Sequence, residues 1–173
     1  PYRGFKTDIW DGGFRVPFIV RWPGKIAPGQ TADQMVCLTD LLATLADIAG
    51  VTLPRWAGED SHSMRAAWFG RKEPTRDHLV LQSYTGTLAI RELKWKLILG
   101  TEGSGGHQEI TPEWAPNQTG WDRIRGITIG QLYDLQSDPY ERTNVFKQHP
   151  AIVAKLRERL EGIVLEGRSR GLN

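Results

Sequence analysis

The sequence predicts an α/β piece followed by a small antiparallel sheet with one helix laid across it, and three observations predict it. The first half alternates strand and helix signals. From Leu79 onward, strand-length runs follow one another with only turn residues between them. The chain then closes on a long apolar stripe at helical spacing, opened by a proline. A strand, a turn and an amphipathic helix form the grammar of an α/β sheet, whereas strands joined by short turns read as hairpins.

Taken in order, Phe18-Ile19-Val20-Arg21-Trp22 is a short apolar run closed by Pro23-Gly24, which suits a buried strand ending in a turn. Pro17 fits the first position of such a strand, where no ladder donor is needed. The run Val16 to Val20 is apolar on both faces, the mark of a strand buried on two sides. Thr39-Asp40 then offers a helix N-cap, Leu41, Leu42, Leu45, Ile48 and Ala49 recur at helical spacing, and Gly50 supplies the stop. The grammar changes near Leu53-Pro54, which divides the chain into residues 1–54 and 55–173. Ser61 to Phe69 reads as a short helix with Met64, Ala67 and Trp68 on one face, closed by Gly70. Strands follow at Leu79 to Tyr84, Leu88 to Arg91 and Trp95 to Leu99, joined by turns at Thr85-Gly86-Thr87 and Glu92-Leu93-Lys94. Gly100 to Gly130 has no period and reads as a long surface loop that lines a site or caps a cleft. Leu132 to Leu135 is a fourth strand ended by Ser137-Asp138-Pro139. Pro150 opens the final helix, whose apolar stripe is Ile152, Val153, Leu156, Leu160, Ile163 and Val164.

Composition narrows the function classes. At 173 residues the chain is one domain or a domain and a half, enough to bury a core. Hydrophobic residues at 39% and charged residues at 24% give a globular balance that argues against disorder. A formal net charge of +2 from dispersed basic residues gives no support to nucleic-acid binding or to attraction to an anionic membrane. No apolar run approaches the roughly 18 residues of a membrane span. The single cysteine, Cys37, makes no intrachain disulfide and leaves the compartment open. Pro1-Tyr2-Arg3-Gly4 shows neither an initiator Met nor a signal-peptide pattern, so the sequence reads as a piece of a longer chain. Any targeting segment is then expected on the missing N-terminal part.

The common catalytic constellations do not occur. There is no phosphate-cradling glycine loop and no Cys-x-x-Cys pair. His62, His78, His107 and His149 are dispersed and read as surface or loop histidines. Glu59-Asp60 reads as a solvated turn and Cys37, between Val36 and Leu38, as a small buried hydrophobe. Trp114 and Trp121 are expected to fold the long loop onto the body by burial, ahead of stacking on a ligand. Asn117-Gln118-Thr119 has the form of an N-glycosylation triplet, meaningful only in a secreted eukaryotic protein.

One stretch says more. Lys6, four residues, Asp11, Gly12-Gly13, any residue, Arg15, Val16-Pro17 and then a run ending in Trp22-Pro23-Gly24 closely resembles the second signature of sulfatases. Leu38 to Leu45 resembles the family's following helix, Trp95-Lys96-Leu97-Ile98 a strand of its subdomain, and Leu132-Tyr133-Asp134-Leu135 with Asp138-Pro139 and Glu141-Arg142-Thr143-Asn144 its closing strand and turn. The resemblance implies the last strand and helix of an alkaline-phosphatase-like α/β sheet in residues 1–54, then the small C-terminal α+β subdomain in 55–173. It implies a sulfuric ester hydrolase acting on sulfate monoesters of small molecules or saccharides, in which Lys6 touches the sulfate. Lys6 is thus the expected catalytic residue, with Asp11, Gly12, Gly13 and Arg15 supporting its loop. An Asp11–Arg15 pair across the turn is our own expectation. Calcium and formylglycine are expected in the full-length enzyme, but the Cys/Ser-x-Pro-x-Arg motif and the family's calcium ligands do not occur in these residues, so no metal site is expected here and the 173 residues alone are expected to be inactive. The resemblance is compatible with an exported or periplasmic protein, and an uncovered sheet edge is compatible with self-association. Two other readings stay open at this stage: a phosphodiester or phosphonate monoester hydrolase of the same superfamily, and a non-catalytic standalone domain.

Overall fold

A computed structural model describes residues 2–100 and 128–171. The chain divides into two compact units, one formed by Pro1–Val16 with Val80–Glu166 and the other by Pro17–Leu79 with Gly167–Asn173. The expected 100–130 loop, with His107, Asn117, Trp114 and Trp121, falls almost wholly outside the described residues.

The first unit is built on a four-stranded sheet. Strands β1 (His78–Gln82), β2 (Leu88–Glu92), β3 (Trp95–Leu99) and β4 (Gly130–Asp134) lie in sequence order. Strand β3 pairs antiparallel with both β2 and β4. The first turn closes with Ser83 N donating to Thr87 O at 2.9 Å, and Gly86 supplies the positive φ of 90° that this turn needs. Leu93-Lys94 makes the second, with Leu93 at φ 52°. The last helix of the chain, Pro150–Glu166, packs Val153, Leu156 and Leu160 onto Leu88, Ile90, Leu97, Leu99 and Leu132. Those strand residues share one face, because side chains alternate along a strand and Ile90, Leu97 and Leu132 stand in register. The opposite face carries Arg91, Lys96, Gln131 and Tyr133, with Arg91 opposite Lys96 and Lys96 opposite Tyr133. That second face is also buried, and it is where the chemistry collects.

The second unit holds a 3-10 turn at Leu38–Asp40, helix α2 (Leu41–Ala49) and the single-turn helix α3 (Arg65–Trp68). Gly50 ends α2 in the left-handed conformation at φ 70°, as its position predicts. The Asp40 carboxylate, fully buried, accepts from Cys37 N at 2.8 Å and His62 N at 3.0 Å and pairs with the buried Arg76 guanidinium. Residues near the C-terminus clasp the same unit, with Arg170 N donating to Glu59 O and Ser169 N to Asp60 Oδ1, both at 2.8 Å.

Four expectations need correction. Phe18–Trp22 joins no ladder among the described residues, and Ile19 is 88% exposed; an extended run becomes a strand only where a neighbour offers backbone partners, and here none does. Helix α2 buries Ala43 and Thr44 rather than its leucines: Thr44 Oγ1 donates to Asp40 O at 2.6 Å and accepts from Met64 N at 3.0 Å, which turns Leu42 and Leu45 outward. Ser61 to Phe69 contracts to the one turn of α3, with Met64 and Ala67 still buried. His78 is buried, its Nδ1 2.6 Å from Asp77 Oδ1, because it opens β1 rather than ending a loop.

Candidate functional site

Residues 3–16 fold across the buried polar face of the sheet. Phe5 to Asp8 close a tight turn, in which Asp8 N donates to Phe5 O at 3.0 Å and the Asp8 carboxylate accepts from Phe5 N at 3.1 Å. Lys6 and Thr7 form its tip, and Lys6 is exposed. Thr7 adopts φ 90°, a conformation that favours glycine and strains a β-branched residue. The turn is held from the sheet side by Tyr84 N, which donates to Thr7 O at 3.1 Å.

Behind the turn lies α1 (Asp11–Phe14), a single helical turn. Its glycines serve close approach. A Cβ on Gly12 would sit 2.2 Å from Gly4 O and 2.4 Å from Arg3 O, and one on Gly13 would sit 2.2 Å from Asp8 O. Gly12 N donates to Arg3 O at 2.7 Å, so the two backbones touch directly. No side chain larger than hydrogen fits between the lysine turn and α1.

Asp11 anchors α1 to the sheet. Its side chain accepts from Arg15 Nε at 2.7 Å and, on the other oxygen, from Lys96 Nζ at 2.8 Å. The expected Asp11–Arg15 pair is therefore present, but Asp11 has a second cation from β3 that spacing alone does not reveal. Lys96 Nζ also lies 2.8 Å from Glu141 Oε1, and Glu141 Oε2 accepts from Asp11 N at 2.6 Å. Lys96 and Glu141 are both 0% exposed and Asp11 is 4% exposed. Burying such charges costs several kcal/mol per ion unless partners and geometry compensate. The two carboxylates respond differently. Burial pushes the Asp11 carboxyl up, but Lys96 and Arg15 outweigh it and hold the group below the usual carboxylate range. Burial dominates at Glu141 and raises it, with Lys96 opposing and the Asp11 charge adding to the rise.

The rest of the face is equally connected. Arg3 donates to Tyr133 Oη and to Glu141 O, both at 2.9 Å, and stacks 3.8 Å from the centre of the Trp10 ring. Trp10 Nε1 donates to Gln131 Oε1 at 3.0 Å, which also accepts from Tyr133 Oη at 2.6 Å. Burial raises the Tyr133 hydroxyl above its ordinary value. The turn that delivers Glu141 is braced by Asp138 Oδ2, which accepts from Arg142 N and Thr143 N at 2.8 Å each. Asn144 Oδ1 accepts from Leu132 N at 3.0 Å and ties that turn back to β4. Glu141 itself sits at φ 54°. The arrangement presents one exposed cation on a strained turn with a fixed, charged foundation. Among the described residues no group of three or more His, Cys, Asp or Glu side chains is placed to hold a metal ion.

Comparison with known proteins identifies the family. A family model described as N-sulphoglucosamine sulphohydrolase, C-terminal, matches residues 5–98. The chain is 36% identical over 162 residues to an N-acetylgalactosamine-6-O-sulfatase of Bacteroides thetaiotaomicron, covering 94% of this chain and 30% of that protein. It is 33% identical over 145 residues to human arylsulfatase A, covering 81% of this chain and 28% of that protein. Among solved structures, one concerned with the metabolism of multiple glycosaminoglycans by Bacteroides thetaiotaomicron superposes with a TM-score of 0.75 at 34% identity, over 95% of this chain and 32% of that one. A sulfatase from Pseudoalteromonas sp. shares the fold, with a TM-score of 0.64 at 23% identity over 95% of this chain and 32% of that one. The chain thus spans about a third of the length of these relatives. Together these matches show that the chain belongs to the sulfatase family and corresponds to its C-terminal region.

Proposed function

We propose that this chain forms the C-terminal part of a sulfatase that hydrolyses sulfate monoesters, and that Lys6 contacts the sulfate in that enzyme. The carrying observation is the exposed Lys6 on a strained turn backed by Gly12, Gly13 and the Asp11 ion network. Cleavage of a sulfate ester moves negative charge onto the bridging oxygen. A fixed ammonium aimed there stabilises the transition state more than the ground state. The strained turn suits that role, because a lysine on a floppy loop would have to be ordered during the reaction. Asp11 and Arg15 neutralise each other beneath the turn and leave Lys6 as the outward cation. A saccharide sulfate is the substrate class we favour, since relatives include an N-acetylgalactosamine-6-O-sulfatase and an ulvan-active sulfatase. Calcium and formylglycine remain expectations for the full-length enzyme. The described residues do not fit a metal site, so no step is assigned to a metal on this chain.

The test is Lys6→Ala in the full-length protein. We expect kcat to fall by roughly a hundredfold or more with KM little changed, the pattern of a contact made chiefly in the transition state. The 173 residues by themselves are expected to turn over no aryl sulfate. An unchanged kcat in a correctly folded Lys6→Ala protein would remove Lys6 from the reaction.

A further inference from the structure

We infer that Lys96 and Glu141 are positioning residues for the Lys6 turn, acting on it through Asp11 and the double glycine; this rests on the reading of Lys6 as the sulfate contact. Lys96 comes from the middle of β3 and Glu141 from the turn after β4, far along the chain from Lys6. Each nevertheless lies one step from the backbone that carries it. Glu141 accepts the Asp11 amide at 2.6 Å, and its carbonyl accepts from Arg3 at 2.9 Å, so one residue grips the segment on both sides of Lys6. Lys96 holds the Asp11 and Glu141 carboxylates at 2.8 Å each, which keeps two buried anions from separating. Asp11 begins α1, and α1 meets the turn through direct backbone-on-backbone contact at Gly12 and Gly13. A displacement of Asp11 is therefore passed to the backbone that carries Lys6 without a side chain between the two to absorb it.

The chemistry of the cluster favours a geometric role over a merely stabilising one. A buried ion pair is weak as a source of stability, since an apolar replacement of the same shape often serves as well. It is effective at fixing direction where a charge accepts a short, angular hydrogen bond, as Asp11 does from Lys96 and Arg15 and as Glu141 does from the Asp11 amide. Two departures from relaxed backbone bracket the network, Thr7 at φ 90° and Glu141 at φ 54°. Such conformations persist where surrounding contacts over-determine them.

The experiment is a set of double-mutant cycles in the full-length protein, combining Lys96→Met or Glu141→Gln with Lys6→Ala. Lys96→Met keeps the length of the side chain and removes the ammonium. Glu141→Gln keeps an oxygen for the Asp11 amide and removes the charge facing Lys96. It is the milder change and serves if Lys96→Met does not fold. In the Lys6 background we expect each single variant to lower kcat, by about a hundredfold for Lys96→Met, the scale of a 1 Å misplacement, with KM nearly unchanged. In the Lys6→Ala background the same changes should cost almost nothing further, because the group they position is gone. Amide exchange across residues 3–14 should quicken in both variants. Full, additive losses on top of Lys6→Ala would overturn the inference, since a general structural defect would not depend on Lys6. So would a folded Lys96→Met protein with normal kcat while Lys6→Ala is impaired, which leaves the Lys6 reading intact. A harmless Lys6→Ala would instead overturn both.

Discussion

At the residue scale the two central glycines of the motif leave less room for a Cβ than any other described glycine. Neither supplies a positive φ, and both clear space for neighbouring carbonyls. Gly12→Ala would drive a methyl group to within 2.2 Å of Gly4 O and 2.4 Å of Arg3 O, and backbone cannot step aside as a side chain can. We expect a loss at or beyond the ~3 kcal/mol upper end of ordinary overpacking. Denaturant titration of the variant measures it, and a loss of under about 1 kcal/mol would show that the segment shifts freely. Lys6, Asp11, Gly12, Gly13 and Arg15 were all legible as a motif, and the Asp11–Arg15 pair follows from their spacing of four. Lys96 and Glu141 were not legible as part of the same site. A lysine within a strand reads as a solvent-facing residue, and only the register that sets Lys96 opposite Arg91 and Tyr133 reveals a buried polar face. Long-range pairing of that kind leaves no local trace.

At the scale of elements, the hairpins and the last helix were readable because each carries its own reason to form. The strand-length runs, the Gly86 turn and the Pro150 start are local, and the structure keeps all of them. The helix 150–166 attaches through three buried residues, of which Leu160 is 0% exposed within the cluster formed with Ile90, Leu97 and Leu132. Leu160→Ala should cost about 2–5 kcal/mol, while Leu165→Ala, on a residue that is 64% exposed, should stay within about 0.5 kcal/mol. Thermal melts of the pair test the assignment of the packed face; equal effects would contradict it. The elements that misled were those whose partners lie elsewhere. Phe18–Trp22 has the composition of a doubly buried strand and no ladder, and α2 has a leucine stripe that faces out because Thr44 and Asp40 fix the opposite side. Pattern records what a segment is suited to bury against, and it does so even when the described residues supply no such surface.

For the molecule as a whole, both units leave large apolar side chains exposed among the described residues. The unit with the sheet covers both faces of that sheet, one with the helix 150–166 and one with residues 3–16. The other unit leaves Phe18, Ile19, Leu38, Leu42, Leu45 and Trp56 exposed. Exposed apolar groups in such number mark a surface suited to burial against protein. We expect the isolated chain to bind a hydrophobic dye and to associate with rising concentration. Leu42→Lys combined with Leu45→Glu should weaken both without lowering the melting temperature, because these side chains are 49% and 57% exposed. A chain that stays monomeric and dye-silent at high concentration would show that this surface needs no cover. The division near Leu53-Pro54, into the end of a large α/β domain and a small α+β subdomain, stands as a proposal.

The grip of Glu141 on Asp11 and Arg3 also has a consequence in time. These contacts span 130 and 138 residues, so they belong to the slowest class to close during folding. A ribosome delivers Lys6 early in this stretch and Glu141 more than a hundred residues later, at about 5–20 residues per second. Until Glu141 emerges and the turn after β4 closes, Asp11 lacks its amide acceptor and Lys96 lacks one of its two anions. The lysine turn therefore matures late, although it is translated before the residues that set it. Chains that end before Glu141 keep every residue of the motif and still lack the means to set it.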